Sequence, residues 1–242
     1  MILSREIKEL TGNKPFLIYD EDGREGETDI IISADNICAN DVYMLRSQAG
    51  GLVCVAIQPL IARTLGLSFM TEVLRAASDK YPTLSNIVEH ESPYGDPPAF
   101  SLTINHRNTY TGITDNDRAL TISELAKLSQ EILKFDTPEQ IIQKKFKENF
   151  KSPGHVHLLI GRNNLLKSRR GHTELSLALA EMVNILPVMV ICEMLDGKTG
   201  KALSKFEASE YAKRNNIPFI EGKDIIKTYT QYKISLEKGI HG

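Results

Sequence analysis

Short apolar runs recur along this chain: FLIY at 16–19, DIIIS at 29–33, VCVAI at 53–57, FSLTI at 100–104, HVHLLI at 155–160 and VMVIC at 188–192. Segments of helical periodicity separate most of them, and that alternation specifies an α/β or mixed-sheet α+β fold, with helices covering the faces of a twisted sheet. Strands are expected over 15–20, 28–33, 52–57, 99–105, 155–160, 188–192 and 217–220. Helices are expected over 4–11, 40–49, 59–78 with a break, 117–133, 138–149, 173–185, 204–215 and 223–231. At 242 residues and 41% hydrophobic content the chain can bury a full core as one large domain or at most two. It carries no internal repeat, heptad array or low-complexity tract, and the Pro-, Ser- and acid-rich stretch TLSNIVEHESPYGDPPAF at 83–100 reads as a surface excursion too short for a linker. One domain over 1–242 is expected.

Net charge is −2, from 29 basic and 31 acidic residues, so nothing global favours nucleic acid or an anionic membrane. The start, MILSREIKEL, is too charged for a secretory signal, and no apolar run reaches the ~18 residues that a membrane span needs. Cys38, Cys54 and Cys192 are odd in number, far apart and form no CxxC pair, which points to reduced thiols. A soluble cytoplasmic protein is expected.

Function must therefore be read from local clusters. The segment YDEDGREGETDIII, 19–32, sets six carboxylates around one arginine. A solvated turn is one reading. Yet Glu25, Glu27 and Asp29 are spaced by two, so a strand through them projects all three from one face, with Gly26, Thr28, Ile30 and Ile32 on the other. Aligned carboxylates repel unless a cation sits among them, and the spacing implies a positive partner.

In KSRRGHTELSLALAEMVN, 167–184, two arginines and a glycine lead into an amphipathic helix. Helix N-terminal amides bind anions, Gly171 allows close backbone approach, and Arg169 and Arg170 can fork onto phosphate oxygens. An ordinary basic loop with Thr173 as N-cap is the alternative. His172, at a helix start beside two arginines, is expected to resist protonation and so to be free for a metal. In KSPGHVHLLI, 151–160, a Pro-Gly turn precedes a strand with His155 and His157 on one face. His155, where strand meets loop, suits acid-base work, whereas His157 suits packing. Asp20 and Glu193 each close an apolar strand, as a turn residue or as a residue of a site at the sheet rim. Cys54 follows a glycine pair that would admit a ligand, or is a small buried hydrophobe. HRNTYTGITDNDRALT, 106–121, combines hydroxyls, acids and Arg118 before a helix, either as capping chemistry, with Asp115 or Asp117 as N-cap, or as a second anion contact.

Taken together, REGETD, GGLVC, TGITDNDRA, SPGHV, RRGHTE and CEM, in this order and at these separations, resemble the 3,4-dihydroxy-2-butanone-4-phosphate synthases of riboflavin biosynthesis, most nearly the archaeal stand-alone form. The resemblance covers nearly the whole chain. It implies a three-layer α/β/α fold around a mixed sheet, and a homodimer with active sites at the interface. The implied reaction converts D-ribulose 5-phosphate into L-3,4-dihydroxybutan-2-one 4-phosphate and formate, with Mg2+ or Mn2+ as cofactor. It also implies Glu25 and His172 as metal ligands. Arg24, Glu25, Asp29, Arg169, Arg170, Gly171, His172, Thr173 and Glu193 are implied substrate contacts. His155 and Glu193 are implied in proton movement, while Asp20, Glu27 and Cys54 line the pocket and Thr111 reaches the phosphate.

The chemistry wants such residues. A ketose phosphate bound through its carbonyl and hydroxyls to a divalent ion has its C3 proton acidified, and the later dehydration, skeletal rearrangement and formate release need several acids and bases close together. Oxygen-rich ligation suits magnesium, and a neutral histidine also suits manganese. Bacterial relatives commonly read RENEGD where this chain has REGETD, and Arg170 stands where glycine is frequent. No cysteine cluster of a fused GTP cyclohydrolase II follows. Two other readings share features: a phosphosugar isomerase or aldolase shares the first step but not formate. A nucleotide- or RNA-binding module would share the RRGH grip, but the chain lacks its basic stripe and stacking aromatics, with 7% aromatic residues and no tryptophan.

Overall fold

The structure is a computed structural model and describes residues 14–88, 92 and 94–240, the side chains of 238–240 excepted. The helix expected over 4–11 lies outside the described residues. Seven strands, β1 Phe16–Tyr19, β2 Thr28–Ser33, β3 Cys54–Ile57, β4 Phe100–His106, β5 Phe150–Ile160, β6 Val188–Glu193 and β7 Phe219–Glu221, form one mixed sheet in the order β4-β5-β3-β6-β2-β1-β7. The helices are α1 Ala39–Gln48, α2 Pro59–Leu65, α3 Met70–Ala77, α4 Thr83–Ile87, α5 Asp115–Lys134, α6 Glu139–Asn149, α7 His172–Val183, α8 Lys205–Asn215 and α9 Gly222–Ile240. The expected break in 59–78 is where Gly66, at φ 73, closes α2 in the left-handed region that glycine adopts without penalty.

Strand alternation divides the core into the two layers of an α/β/α arrangement. Leu17, Ile30, Ile32, Val55 and Val190 pack on one side with Leu45, Ile61, Ile122, Ile142 and Ala212 from α1, α2, α5, α6 and α8. Ile18, Ile31, Cys54, Ala56 and Ile191 pack on the other with Leu175, Leu179, Ile225 and Tyr229 from α7 and α9. Every residue of β2 is therefore buried, Ile31 as fully as Ile30 and Ile32, and the expectation of a single buried face on this strand does not hold.

The mixed directions gather the site. β2 runs antiparallel to both β1 and β6, and β3 antiparallel to β6. The C-terminal ends of β1 and β6 thus share one rim of the sheet with the N-terminal ends of β2 and β3. Asp20, Glu193, Asp29 and Cys54 stand at those ends.

Near the β4 edge the Pro-Gly turn expected before 155 is absent. β5 begins at Phe150 and carries Pro153 and Gly154 through a bulge, where the register with β4 slips between Ile104 and Asn105. A proline lacks the ladder donor and fits a strand at such an irregularity, and a Cβ on Gly154 would lie 2.0 Å from the Ile104 carbonyl carbon.

Candidate active site

The turn after β1 is built around Asp20. Its buried carboxylate accepts the backbone N–H groups of Glu25 at 3.1 Å and Glu27 at 3.0 Å, and Arg24 Nη1 donates to it at 3.1 Å. Asp20 is thus both a turn residue and a rim residue. Arg24 Nη1 also lies 3.0 Å from Glu25 Oε1, and its Nε donates to Asp96 at 2.9 Å. Tyr94 stacks on this guanidinium at 4.6 Å and donates its hydroxyl to Glu25 Oε1 at 2.8 Å.

His172 opens α7 against this turn. Its Nδ1 lies 3.4 Å from Glu25 Oε2 and 3.6 Å from Asp29 Oδ2, and its Nε2 is buried without a hydrogen-bond partner among the described residues. The expectation that His172 resists protonation is overturned. Burial disfavours its charge, but Asp29, a hydrogen bond to Glu25, and Asp20 outweigh burial and push its pKa up to about 9. The reason is proximity: the acids face the ring, while Arg169 is turned to other carboxylates. Burial also works against the charge on Glu25, yet His172, Arg24 and Tyr94 together hold its pKa down at about 2. Asp29 goes the opposite way, to about 7, because burial and the negative Glu25, Glu193 and Glu27 outweigh His172. Its register partner on β6 is Glu193, so two carboxylates stand side by side on adjacent strands. Burial, with Glu25, also raises Glu27.

A cavity of about 500 Å3 is lined by Glu25, Glu27, Asp29, Cys54, His172, Thr173 and Glu193, with Leu52, Phe100, Leu159 and Ile191 as its apolar wall. Glu25, Glu27 and Asp29 share it as their spacing predicts, although only Asp29 lies in β2; the turn carries the other two in. Cys54 is buried, and burial together with the charges of Glu193 and Asp29 pushes its thiol well above the usual range, so it stands there as a neutral thiol. Cys192 belongs to the opposite layer. Gly50 packs so closely on Glu193 that a Cβ would lie 2.3 Å from Oε1.

An adjoining cavity of about 270 Å3 is lined by Arg24, Tyr94, Asp96, Lys167, Ser168, Arg169 and Arg170. The N-cap of α7 is Gly171, not Thr173, and no side chain caps the helix. A Cβ on Gly171 would lie 2.2 Å from Arg169 Nη1 and 2.6 Å from Arg24 Nη2, so both guanidiniums rest on the bare helix start. Arg169 is anchored by Nη1 to the fully buried Glu174 at 2.7 Å. Arg24 Nη2 and Arg169 Nε are buried donors without partners among the described residues. Unsatisfied guanidinium N–H groups over a helix N-terminus are what an anion such as phosphate completes. Arg170 is exposed.

His155 and Thr111 do not line either cavity. They are exposed and stand together elsewhere, joined by the buried Asn105, which contacts the His155 ring and the Thr111 carbonyl. At the start of α5, Thr114, rather than Asp115 or Asp117, is the N-cap, accepting from Asp117 N–H at 3.1 Å, and Arg118 pairs through Nη2 with Asp115 at 3.2 Å while its buried Nε has no partner among the described residues. His157 packs edge-on to Phe100, as expected of a packing residue.

Asp20, Glu25 and His172 each offer one ligand atom within 4.8 Å of the others. A divalent cation fits this set, since it would take the orphaned imidazole or displace its proton and relieve the crowded acids. Asp20 accepts three hydrogen bonds that shape the turn, while Glu25 is engaged by Arg24, Tyr94 and His172. Sequence reading missed Tyr94, Asp96, Glu174 and Asn105. For Glu174 a signal existed, a carboxylate five residues after Arg169 in the first turn of a helix.

The family model for 3,4-dihydroxy-2-butanone 4-phosphate synthase matches residues 4–228. Proteins of that name from Archaeoglobus fulgidus and Methanothermobacter thermautotrophicus are 46% and 40% identical, each over 96% of this chain and 97% and 98% of their own. A crystal structure of the synthase from Candida albicans superposes with a TM-score of 0.69 at 25% identity, covering 93% of this chain and 96% of that one. Another, described as a complex with two magnesium ions, shares the fold with a TM-score of 0.73 at 24% identity, covering 96% and 97%. With matches over nearly its whole length and a rim that gathers acids, an imidazole and a two-arginine anion pocket, the chain belongs to the 3,4-dihydroxy-2-butanone 4-phosphate synthase family.

Proposed function

We infer that the chain converts D-ribulose 5-phosphate into L-3,4-dihydroxybutan-2-one 4-phosphate and formate, as one synthase domain over 1–242. One observation carries this reading: the acid-imidazole group of Asp20, Glu25 and His172 adjoins two buried, under-partnered arginines on an uncapped helix start. A phosphosugar needs both, one end for its phosphate and the other for its reacting carbons.

In this reading Arg24, Arg169 and the amides opening α7 take the phosphate, with Arg170 at the rim and Gly171 keeping the approach open. Glu25 and His172 would hold Mg2+ or Mn2+, which when bound acidifies the carbons next to the substrate carbonyl. Held near neutrality, Asp29 can carry or release a proton at working pH, while Glu25 stays an anion. Glu193, on the neighbouring strand, and Glu27 are positioned to move protons at the opposite wall of the same cavity. Thr173 and the apolar wall of Leu52, Phe100 and Leu159 shape the space and limit water. Cys54 contributes shape rather than nucleophilicity, because its thiol stays protonated.

His155 and Thr111 belong to the same reaction through a second copy of the chain. Their exposure, beside each other and away from both cavities, supports a homodimer in which each copy lends this pair to its partner's site. Three free cysteines, and no helix among the described residues long and apolar enough to cross a membrane, support a cytoplasmic location. The test is direct: purified protein with ribulose 5-phosphate should release formate with magnesium and cease to do so after chelation. Folded dimer that releases no formate would overturn the reading.

A further inference from the structure

Asn105 lies in β4, 3% exposed, where β4 and β5 slip out of register. Its side-chain oxygen accepts the His155 backbone N–H at 2.8 Å, which fixes that end of the carboxamide as the acceptor. The amide nitrogen is then left facing two groups, the Thr111 carbonyl at 3.5 Å and His155 Nδ1 at 3.1 Å. A carbonyl can only accept. An imidazole Nδ1 accepts only when the ring's single proton is on Nε2. The other tautomer would put an Nδ1–H against the amide N–H at 3.1 Å, with Oδ1 available only at 3.4 Å.

The carboxamide is also clamped in place. Gly112, at φ 94, lies flat against it, so that a Cβ there would be 2.0 Å from the amide nitrogen and 2.5 Å from the oxygen. One buried side chain therefore sets both the His155 ring and the turn that presents Thr111, the two functional residues outside the single-chain cavity. The Gly112 turn is closed from the far side by Asp117, which accepts the Gly112 N–H at 2.8 Å.

We propose that Asn105 is a positioning residue that holds neutral His155 as its Nε2–H tautomer, so that the ring presents a hydrogen-bond donor, not a base, to the substrate. The role in catalysis rests on the reading of His155 as a residue of the reaction; the tautomer does not. With Nδ1 occupied by Asn105 and Nε2 protonated, His155 has no lone pair with which to abstract a proton. It stabilises negative charge developing on a substrate oxygen, and abstraction falls to the carboxylates of the cavity.

Nitrogen-15 spectra of the histidine rings in the full-length protein test this, with the His155 signals assigned by their loss in His155→Asn. At a pH where the ring is neutral, Nδ1 should be the unprotonated nitrogen and Nε2 the protonated one. A wild-type ring protonated at Nδ1, or an even mixture of tautomers, would overturn the proposal, and this spectrum decides even where a variant fails to fold. Asn105→Asp replaces the donor facing Nδ1 with an acceptor of equal size. It should move the proton to Nδ1 and lower kcat by about 100-fold with KM changed far less. An unchanged tautomer in that variant contradicts the positioning role, and a reversed tautomer at wild-type kcat contradicts the donor role. Wild-type kcat in His155→Asn would instead remove the catalytic reading of His155 and leave the tautomer result standing.

Discussion

Two helices of this chain begin with a similar mixture of threonine, acid and arginine, and they do opposite things. At the start of α5, Thr114 caps the helix and Arg118 is spent on Asp115, which Arg46 also grips at 2.8 Å. Arg118 Nε is a buried donor without a partner among the described residues there too, but the Thr114 hydroxyl already takes a helix-start N–H, so the motif caps the helix. At the start of α7 the cap is a glycine with no side chain, and Arg24 and Arg169 lie over it with buried N–H groups that have no partner among the described residues. In the proposed function the substrate phosphate completes what the chain leaves open. An arginine held by one edge, as Arg169 is by Glu174 and Arg118 by Asp115, is common to both starts, and what separates them is the cap: a threonine hydroxyl at α5, a bare glycine at α7.

If α7 is the open helix, damage to its ligand groups should be large. Glu25→Gln keeps the volume but removes a charged ligand and the partner of His172 and Tyr94, so turnover should fall by about 100-fold or more in a protein that still folds, with a lowered thermal midpoint. Next in size is Gly171→Ala, whose methyl group would displace both guanidiniums; kcat/KM should fall by about 10- to 100-fold, the loss of one or two charged hydrogen bonds. A Gly171→Ala enzyme with wild-type kcat/KM would show that the anion does not sit there. Tyr94→Phe removes the hydroxyl that holds Glu25 but keeps the ring on Arg24, so magnesium affinity should weaken by about 10-fold with little loss of stability. At the closed helix the effect should be of another kind. Thr114→Ala should cost about 1 kcal/mol of stability in denaturant titration, with turnover per folded molecule affected less than in Gly171→Ala.

Much of this was legible in the sequence. The expected strands match all seven in place, and β1, β2, β3 and β6, buried almost throughout, are the ones that need continuous hydrophobic residues; Glu25, Glu27 and Asp29 do share one cavity, though the turn before β2 rather than strand alternation carries in the first two. What escaped was whatever depends on contacts between distant segments. Tyr94 and Asp96 sit in a Pro-rich excursion without periodicity, and only the fold lays them on Arg24 and Glu25. Asn105 is one polar position at the end of the strand expected over 99–105, and nothing local shows that a bulge on β5 brings His155 against it. The charge of His172 escapes for the same reason: the sequence shows the neighbouring arginines, while the acids that set its charge come from β2 and the turn between β1 and β2. The length of β5 was misjudged because Pro153 and Gly154 resemble a turn until a partner strand accommodates them.

The central claim is that the acids facing His172 are a cation site and not a surface cluster. Calorimetric titration of Mg2+ into the metal-free protein and into His172→Asn tests it most directly. Saturable binding in the wild type, weakened by about 10-fold or more in a variant that remains folded, is the expected result. Equal affinity in the two proteins, or no saturable binding to the folded wild type, would contradict it.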